Sequence, residues 1–143
     1  MDAGQLRRAS WPAAAAACLA LAAGCGQPHG SRDVAAFVRQ GATSTERAIL
    51  RTIGIYRTTK DTRLACSLIT QHFLKTRYDG QERGCEVIVG EAVRTLPRSA
   101  HVQSVSGTRA EVRIHELTAT RSIYRMRLVG GVWRIDDIVA AAR

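Results

Sequence analysis

The sequence predicts an α+β domain in which three helices precede, and pack on, a four-stranded antiparallel meander. Two observations predict it. Apolar residues recur at helical spacing from Thr45 to Leu96, and from Ala100 onward four short runs alternate apolar and polar residues between turn signals. A third observation orients the layers: the strands are apolar on one face and charged on the other, so the helices must cover the apolar face.

The first helix is expected from about Thr45 to Thr58. Thr43-Ser44-Thr45-Glu46 has capping-box spacing, a hydroxyl followed three residues later by a glutamate. Ile49, Ile53 and Tyr56 then share one face, widened by Ala48 and Leu50. Gly54 weakens this helix by about 1 kcal/mol relative to alanine, which either permits a close neighbour or is simply tolerated. Asp61 can cap a second helix running through Ile69, with Leu64, Ala65, Leu68 and Ile69 apolar. Thr70 can cap a short turn bearing Phe73 and Leu74, and Asp79-Gly80 is a turn signal. The third helix is expected from about Glu82 to Leu96, with Cys85, Val89, Ala92 and Leu96 on one face and Pro97 after its end.

The strands are expected at Ala100–Ser106, Arg109–Thr118, Arg121–Val129 and Val132–Ala140. Gly107-Thr108 and Gly130-Gly131 mark tight turns, and Thr118 to Arg121 a weaker one. Tyr124, Met126 and Leu128 alternate with Arg125 and Arg127; Val112 and Ile114 with Glu111, Arg113 and His115; Trp133 and Ile135 with Arg134 and Asp136.

Ahead of the domain, Arg7 and Arg8 precede an apolar run of 14 residues from Trp11 to Gly24. A membrane-spanning helix needs about 20. A basic start, a short apolar core and small residues at its end form the pattern of a removable export signal. Leu21-Ala22-Ala23-Gly24-Cys25 resembles the lipobox of bacterial lipoproteins. That resemblance implies cleavage before Cys25, diacylglycerol on its thiol, and anchoring at the extracytoplasmic face of the cell membrane. Arg7-Arg8 hints at twin-arginine export, but Leu6 and Ala9-Ser10-Trp11 fit that motif poorly. The expected organisation is a signal over 1–24, a lipid-anchored tether over 25–44 with a short helix between Asp33 and Gln40, and one domain over 45–143.

Cleavage would leave 119 of the 143 residues, enough for one core. Loss of Arg7, Arg8 and Asp2 reduces 21 basic and 12 acidic residues to 19 and 11, a net charge of +8. Only Lys60 and Lys75 are lysines. The arginines are scattered, with no basic run and no interleaved aromatics, so nucleic acid is not an expected partner; membrane lipid through Cys25 and an anionic envelope surface are. Cys18 leaves with the signal, and Cys66 and Cys85 remain as an even pair. In an oxidising compartment such a pair reads as a disulfide. A metal site is the alternative, but His29, His72, His101 and His115 supply no ligand spacing, so no metal or cofactor is expected.

The residues from about Thr45 to Ile138 resemble the nuclear transport factor 2-like superfamily, also called SnoaL-like or cystatin-like. The likeness rests on the first helix ending in Tyr56, on Asp61 with Ala65-Cys66-Ser67-Leu68-Ile69-Thr70, on Gly84-Cys85-Glu86, and above all on Gly131-Val132-Trp133-Arg134-Ile135-Asp136-Asp137. Short exported members carry a paired cysteine at these two places. The resemblance implies a curved sheet wrapped around a long helix, with a cone-shaped pocket. Members include isomerases, hydrolases and polyketide cyclases beside non-catalytic binding or assembly domains, so fold does not settle function. Ile53, Tyr56, Ile114, Tyr124, Met126 and Trp133 would line the cone, with Glu116 and Asp137 in phase with the inward residues of their strands. The bland alternative is a packed core. An enzyme would use Glu116 or Asp137 as base and Tyr56 or Tyr124 as hydrogen-bond donor. The resemblance matches no catalytic position, and no acid–base constellation stands out, so the expectation is a non-catalytic module binding a small apolar ligand or a protein. Self-association through the sheet would oppose Arg113, Arg125, Arg127 and Arg134 to their copies, unless Glu111 and Asp136 fall in register with them.

Overall fold

The computed structural model describes residues 29–92 and 94–141, with side chains from Val34 onward. Residues 1–24, expected above to form an export signal, and Cys25 lie outside the described residues. Five helices, α1 (His29–Val38), α2 (Ser44–Thr58), α3 (Thr62–Ser67), α4 (Gln71–Tyr78) and α5 (Glu82–Glu91), precede four strands, β1 (Ser99–Ser106), β2 (Arg109–His115), β3 (Arg121–Val129) and β4 (Val132–Ala140). None of the described helices is long and apolar enough to cross a membrane.

The cap signals act as the sequence indicates. The Glu46 amide donates to Thr43 Oγ1 at 3.1 Å, while Glu46 Oε2 accepts from the Ala42 amide at 2.8 Å. Asp61 and Thr70 cap α3 and α4 through the Leu64 and Phe73 amides, both at 3.1 Å. The helix after Thr70 is longer than the expected turn. It closes on Asp79, which adopts a left-handed conformation (φ 52°), with the Gly80 amide reaching back to the Leu74 carbonyl at 3.0 Å.

Two helices stop short of their expected ends because tertiary partners claim the backbone. Leu68 and Ile69 leave α3 to bridge β4: the Thr70 amide donates to the Ile135 carbonyl at 2.9 Å, and the Ile135 amide to the Leu68 carbonyl at 2.8 Å. α5 ends at Glu91, and Ala92 is extended. The chain beyond it is tied to the end of α2, where Arg94 donates to the carbonyls of Tyr56 and Thr59 and Arg57 Nε donates to the Thr95 carbonyl. The folded body also begins earlier than residue 45. Phe37 and Val38 of α1 are buried, and Gln40 Oε1 accepts from the Ala100 amide at 2.9 Å. Gly54 is the seat of this helix: a Cβ there would meet Val34 at 3.1 Å and Phe37 at 3.5 Å.

The sheet is an antiparallel meander of order β1-β2-β3-β4. α+β architecture with N-terminal helices on a four-stranded sheet is therefore present. The cone is not. The sheet is open: β1 and β4 stand at opposite edges and share no pairing. Four twisted strands are too few to curl shut, since even the smallest closed barrels need more. The face expected to line a pocket is packed solid. Ile49, Leu50, Ile53 and Tyr56 of α2 join Val112, Ile114, Tyr124, Met126, Trp133 and Ile135 of the sheet in one buried cluster that also takes in Phe73, Leu74, Cys85 and Val89.

β4 contains a bulge. Arg125 pairs with Asp137 but Met126 pairs with Ile135, so Asp136 is an extra residue and the alternation changes phase there. Trp133 and Ile135 point inward before the bulge and Ile138 after it, whereas Asp137 shares the outer face with Arg125.

Candidate functional site

The sequence-predicted residues separate into three groups. Ile53, Tyr56, Ile114, Tyr124, Met126 and Trp133 are all buried and belong to the core, with Tyr56 the most exposed at 7 %. Met126 borders one surface depression, beside Arg109, Glu111, Arg125, Arg127 and Asp136; another, of about 400 Å³ and lined by Thr120, Arg121, Ala140 and Ala141, touches none of the six. Asp137 is on the outer face, where its carboxylate lies 3.4 Å from both Arg77 and Arg125. The inward phase expected for it holds only for an unbroken strand, and the bulge removes that condition.

Glu116 is the one predicted carboxylate linked to a predicted tyrosine, and the link runs through Arg57. β2 ends at His115, earlier than the sequence suggests, and Glu116 enters a turn in which its amide donates to the Thr120 carbonyl at 3.0 Å. Its carboxylate thereby faces Arg57 in the last turn of α2. Arg57 Nη1 donates to Glu116 Oε1 at 3.0 Å and Nη2 to Oε2 at 2.9 Å, while Nη1 also donates to the Tyr124 hydroxyl at 2.9 Å. The two side chains of the pair are only 16 % and 20 % exposed. Such a two-pronged pair is both stronger and geometrically stricter than a single ionic contact.

The electrostatics follow from this geometry. Burial works against the Arg57 charge, but the Glu116 hydrogen bonds and Tyr124 more than compensate, and the guanidinium holds its proton more firmly than a free arginine. Burial pushes the Tyr124 phenol up from the ordinary tyrosine value, against the pull of Arg57. Tyr56 is pushed up further by burial and by the neighbouring Tyr78 and Tyr124, with Arg94 opposing. Arg94 also sits 5.8 Å over the Tyr56 ring.

Chemically this cluster is a clasp. Both Glu116 oxygens are committed to one guanidinium, and to act as a base the carboxylate would have to give up that partner. The Tyr124 hydroxyl is bound to the same cation. Arg57 and Arg94, which organise the cluster, were not singled out from the sequence. Their only signal is position: Arg57 stands one residue after the apolar stripe ends, in the last turn of a helix where a cation is favoured.

Cys66 and Cys85 form a disulfide, joining α3 to α5 with Cα atoms 6.1 Å apart. Two bridged sulfurs are unavailable as thiolate ligands, which closes the metal alternative for this pair. Among the described residues no group of three or more His, Cys, Asp or Glu side chains converges on a common point. No family model, curated protein or solved structure matches this chain.

Proposed function

We propose that this chain is an exported bacterial lipoprotein, held at the extracytoplasmic face of the cell membrane by acyl lipid on Cys25, and that its folded domain is a non-catalytic binding module. The observation that carries the reading is the Cys66–Cys85 bridge, taken with the short apolar run that ends in Leu21-Ala22-Ala23-Gly24-Cys25. Disulfides persist in oxidising compartments outside the cytosol, and the amino-terminal pattern is that of a chain sent there. The non-catalytic part is supported by what the candidate acid–base groups are doing. Glu116 is gripped by Arg57, Asp137 is shared by two surface arginines, and Tyr56 and Tyr124 are core residues. A filled apolar face leaves recognition to the surface of the domain.

Expression of the full chain in a bacterial host, with membrane fractionation and intact mass spectrometry, tests this. The expected product is membrane-bound, begins at Cys25 and carries diacylglycerol. Cys25→Ala should abolish the lipid mass and leave uncleaved precursor. Recovery of the whole chain from Met1 in the cytosolic fraction, with Cys66 and Cys85 as free thiols, would overturn the reading.

A further inference from the structure

The outer face of the sheet carries a pattern that packing does not explain. Arg109, Arg127 and Arg134 occupy one cross-strand row, Arg109 opposite Arg127 and Arg127 opposite Arg134. Like charges directly opposite each other destabilise a sheet. The adjoining row shows the ordinary solution: Glu111, Arg125 and Asp137 alternate in sign and pair with one another. In the arginine row the neighbouring carboxylate is Asp136, the extra residue of the bulge. Its Oδ1 accepts from Thr70 Oγ1 at 2.7 Å and its Oδ2 lies 3.4 Å from Arg127. One oxygen is therefore held by Thr70, and only the other faces Arg127, through Nη2 alone. Arg109 and Arg134 have no ion pair among the described residues, and Arg134 Nε is shielded from water without a hydrogen-bond partner.

Arg127 and Arg134 open on a depression of about 380 Å³ between the sheet and α4, whose other walls are Thr70, Gln71, His72, Val129 and Asp136. We infer that this depression binds the phosphate group of a small soluble phosphoester. Two guanidinium forks on adjacent strands, with one carboxylate already satisfied beside them, match a dianion that offers three acceptor oxygens, whereas a carboxylate ligand would serve only one fork. The place of the site on the fold favours a soluble ligand over the bilayer. Val34 and Phe37 of α1 lie against Gly54 near the carboxyl end of α2, so the chain enters the domain near Arg57 and the start of β3. The arginine row stands toward the other end of the sheet, where β3 turns into β4. This orientation rests on the tether proposed above; the anion site itself does not.

Isothermal titration of the purified protein as the host produces it, taken from whichever fraction contains it, separates the two. Glycerol 3-phosphate and inorganic phosphate are titrated at constant ionic strength, beside sodium acetate and vesicles containing phosphatidylglycerol. Saturable binding of both phosphates is expected, at least tenfold tighter than acetate. Arg134→Gln should weaken it at least tenfold, Arg134→Lys less, and Arg125→Gln by under twofold. Arg127→Gln provides a second variant should Arg134→Gln not fold. Phosphate binding no stronger than acetate, binding to vesicles alone, or equal affinity in Arg134→Gln and Arg125→Gln would overturn the inference. The intact mass of the same sample reports the anchor independently.

Discussion

Arg57 is the residue on which one end of the molecule closes. It satisfies the Thr95 carbonyl, both oxygens of Glu116 and the Tyr124 hydroxyl. Removing its partner leaves a mostly buried cation uncompensated, and losses of that kind cost more than the pair itself contributes. Glu116→Ala is therefore expected to lower stability by about 2 kcal/mol, read as a shift in urea midpoint at unchanged slope. Asp137→Ala is the contrast. Its pairs are long and lie on the outer face, so the expected loss is under about 1 kcal/mol. Equal losses in the two variants would mean that Arg57 finds other partners once Glu116 is gone.

At the scale of elements, α3 is the weak member. Its six residues cannot persist as a helix without support. The support comes from the bridge to α5, from the Asp61 cap, and from the Leu68–Thr70 pairing with Ile135. The bridged cysteines are 19 residues apart, and opening a loop of that size costs about 3 kcal/mol on a chain-entropy account. Reduction, or Cys66→Ser with Cys85→Ser, should lower Tm by about 10 °C, measured by circular dichroism with and without reductant. An unchanged Tm would place the bridge in a region already held by packing alone.

These elements also show what is legible in a sequence of this kind and what is not. The caps at Thr43, Asp61 and Thr70, the strand alternation and three of the four strand positions follow from local chemistry, which needs only neighbours within four residues. The ends of α3 and α5 do not, because partners far along the chain, Ile135 for the one and Arg57 for the other, decide them. The Asp136 bulge leaves only a trace, the adjacent polar pair Asp136-Asp137 between Ile135 and Ile138, which fits a strand end as well as a bulge until the pairing with β3 is known. That one residue moved Asp137 from the expected interior to the outer face. The cone failed at the same level. The apolar face was readable, but whether helices would fill it or leave it hollow depends on how α2 to α5 pack together.

For the whole molecule, the core sets a limit at alkaline pH. Tyr56 and Tyr124 have phenols that burial pushes above their unfolded values. A raised folded-state pKa means that the unfolded chain loses the proton first. Stability from these groups is thus fully present below about pH 10 and is lost as pH rises through the folded-state values. Each tyrosine contributes a decline of up to about 1.4 kcal/mol per pH unit in that window. Unfolding free energies measured from pH 8 to 12 should be free of this decline below pH 10 and fall above it, and Tyr56→Phe should make the fall shallower. A wild-type profile with no such fall would show that the phenols ionise as readily folded as unfolded.

β4 is an edge strand whose outward hydrogen-bonding groups are largely spoken for. Thr52 donates to the Trp133 carbonyl, Leu68 and Thr70 take the amide and carbonyl of Ile135, and Arg77 donates to the carbonyl of Ile138. β1, by contrast, yields only its Ala100 amide to Gln40 among the described residues. Edge-to-edge stacking into a fibril requires two free margins on every copy, and among the described residues this sheet has one. Strand addition through these margins can therefore stop at a pair but does not propagate.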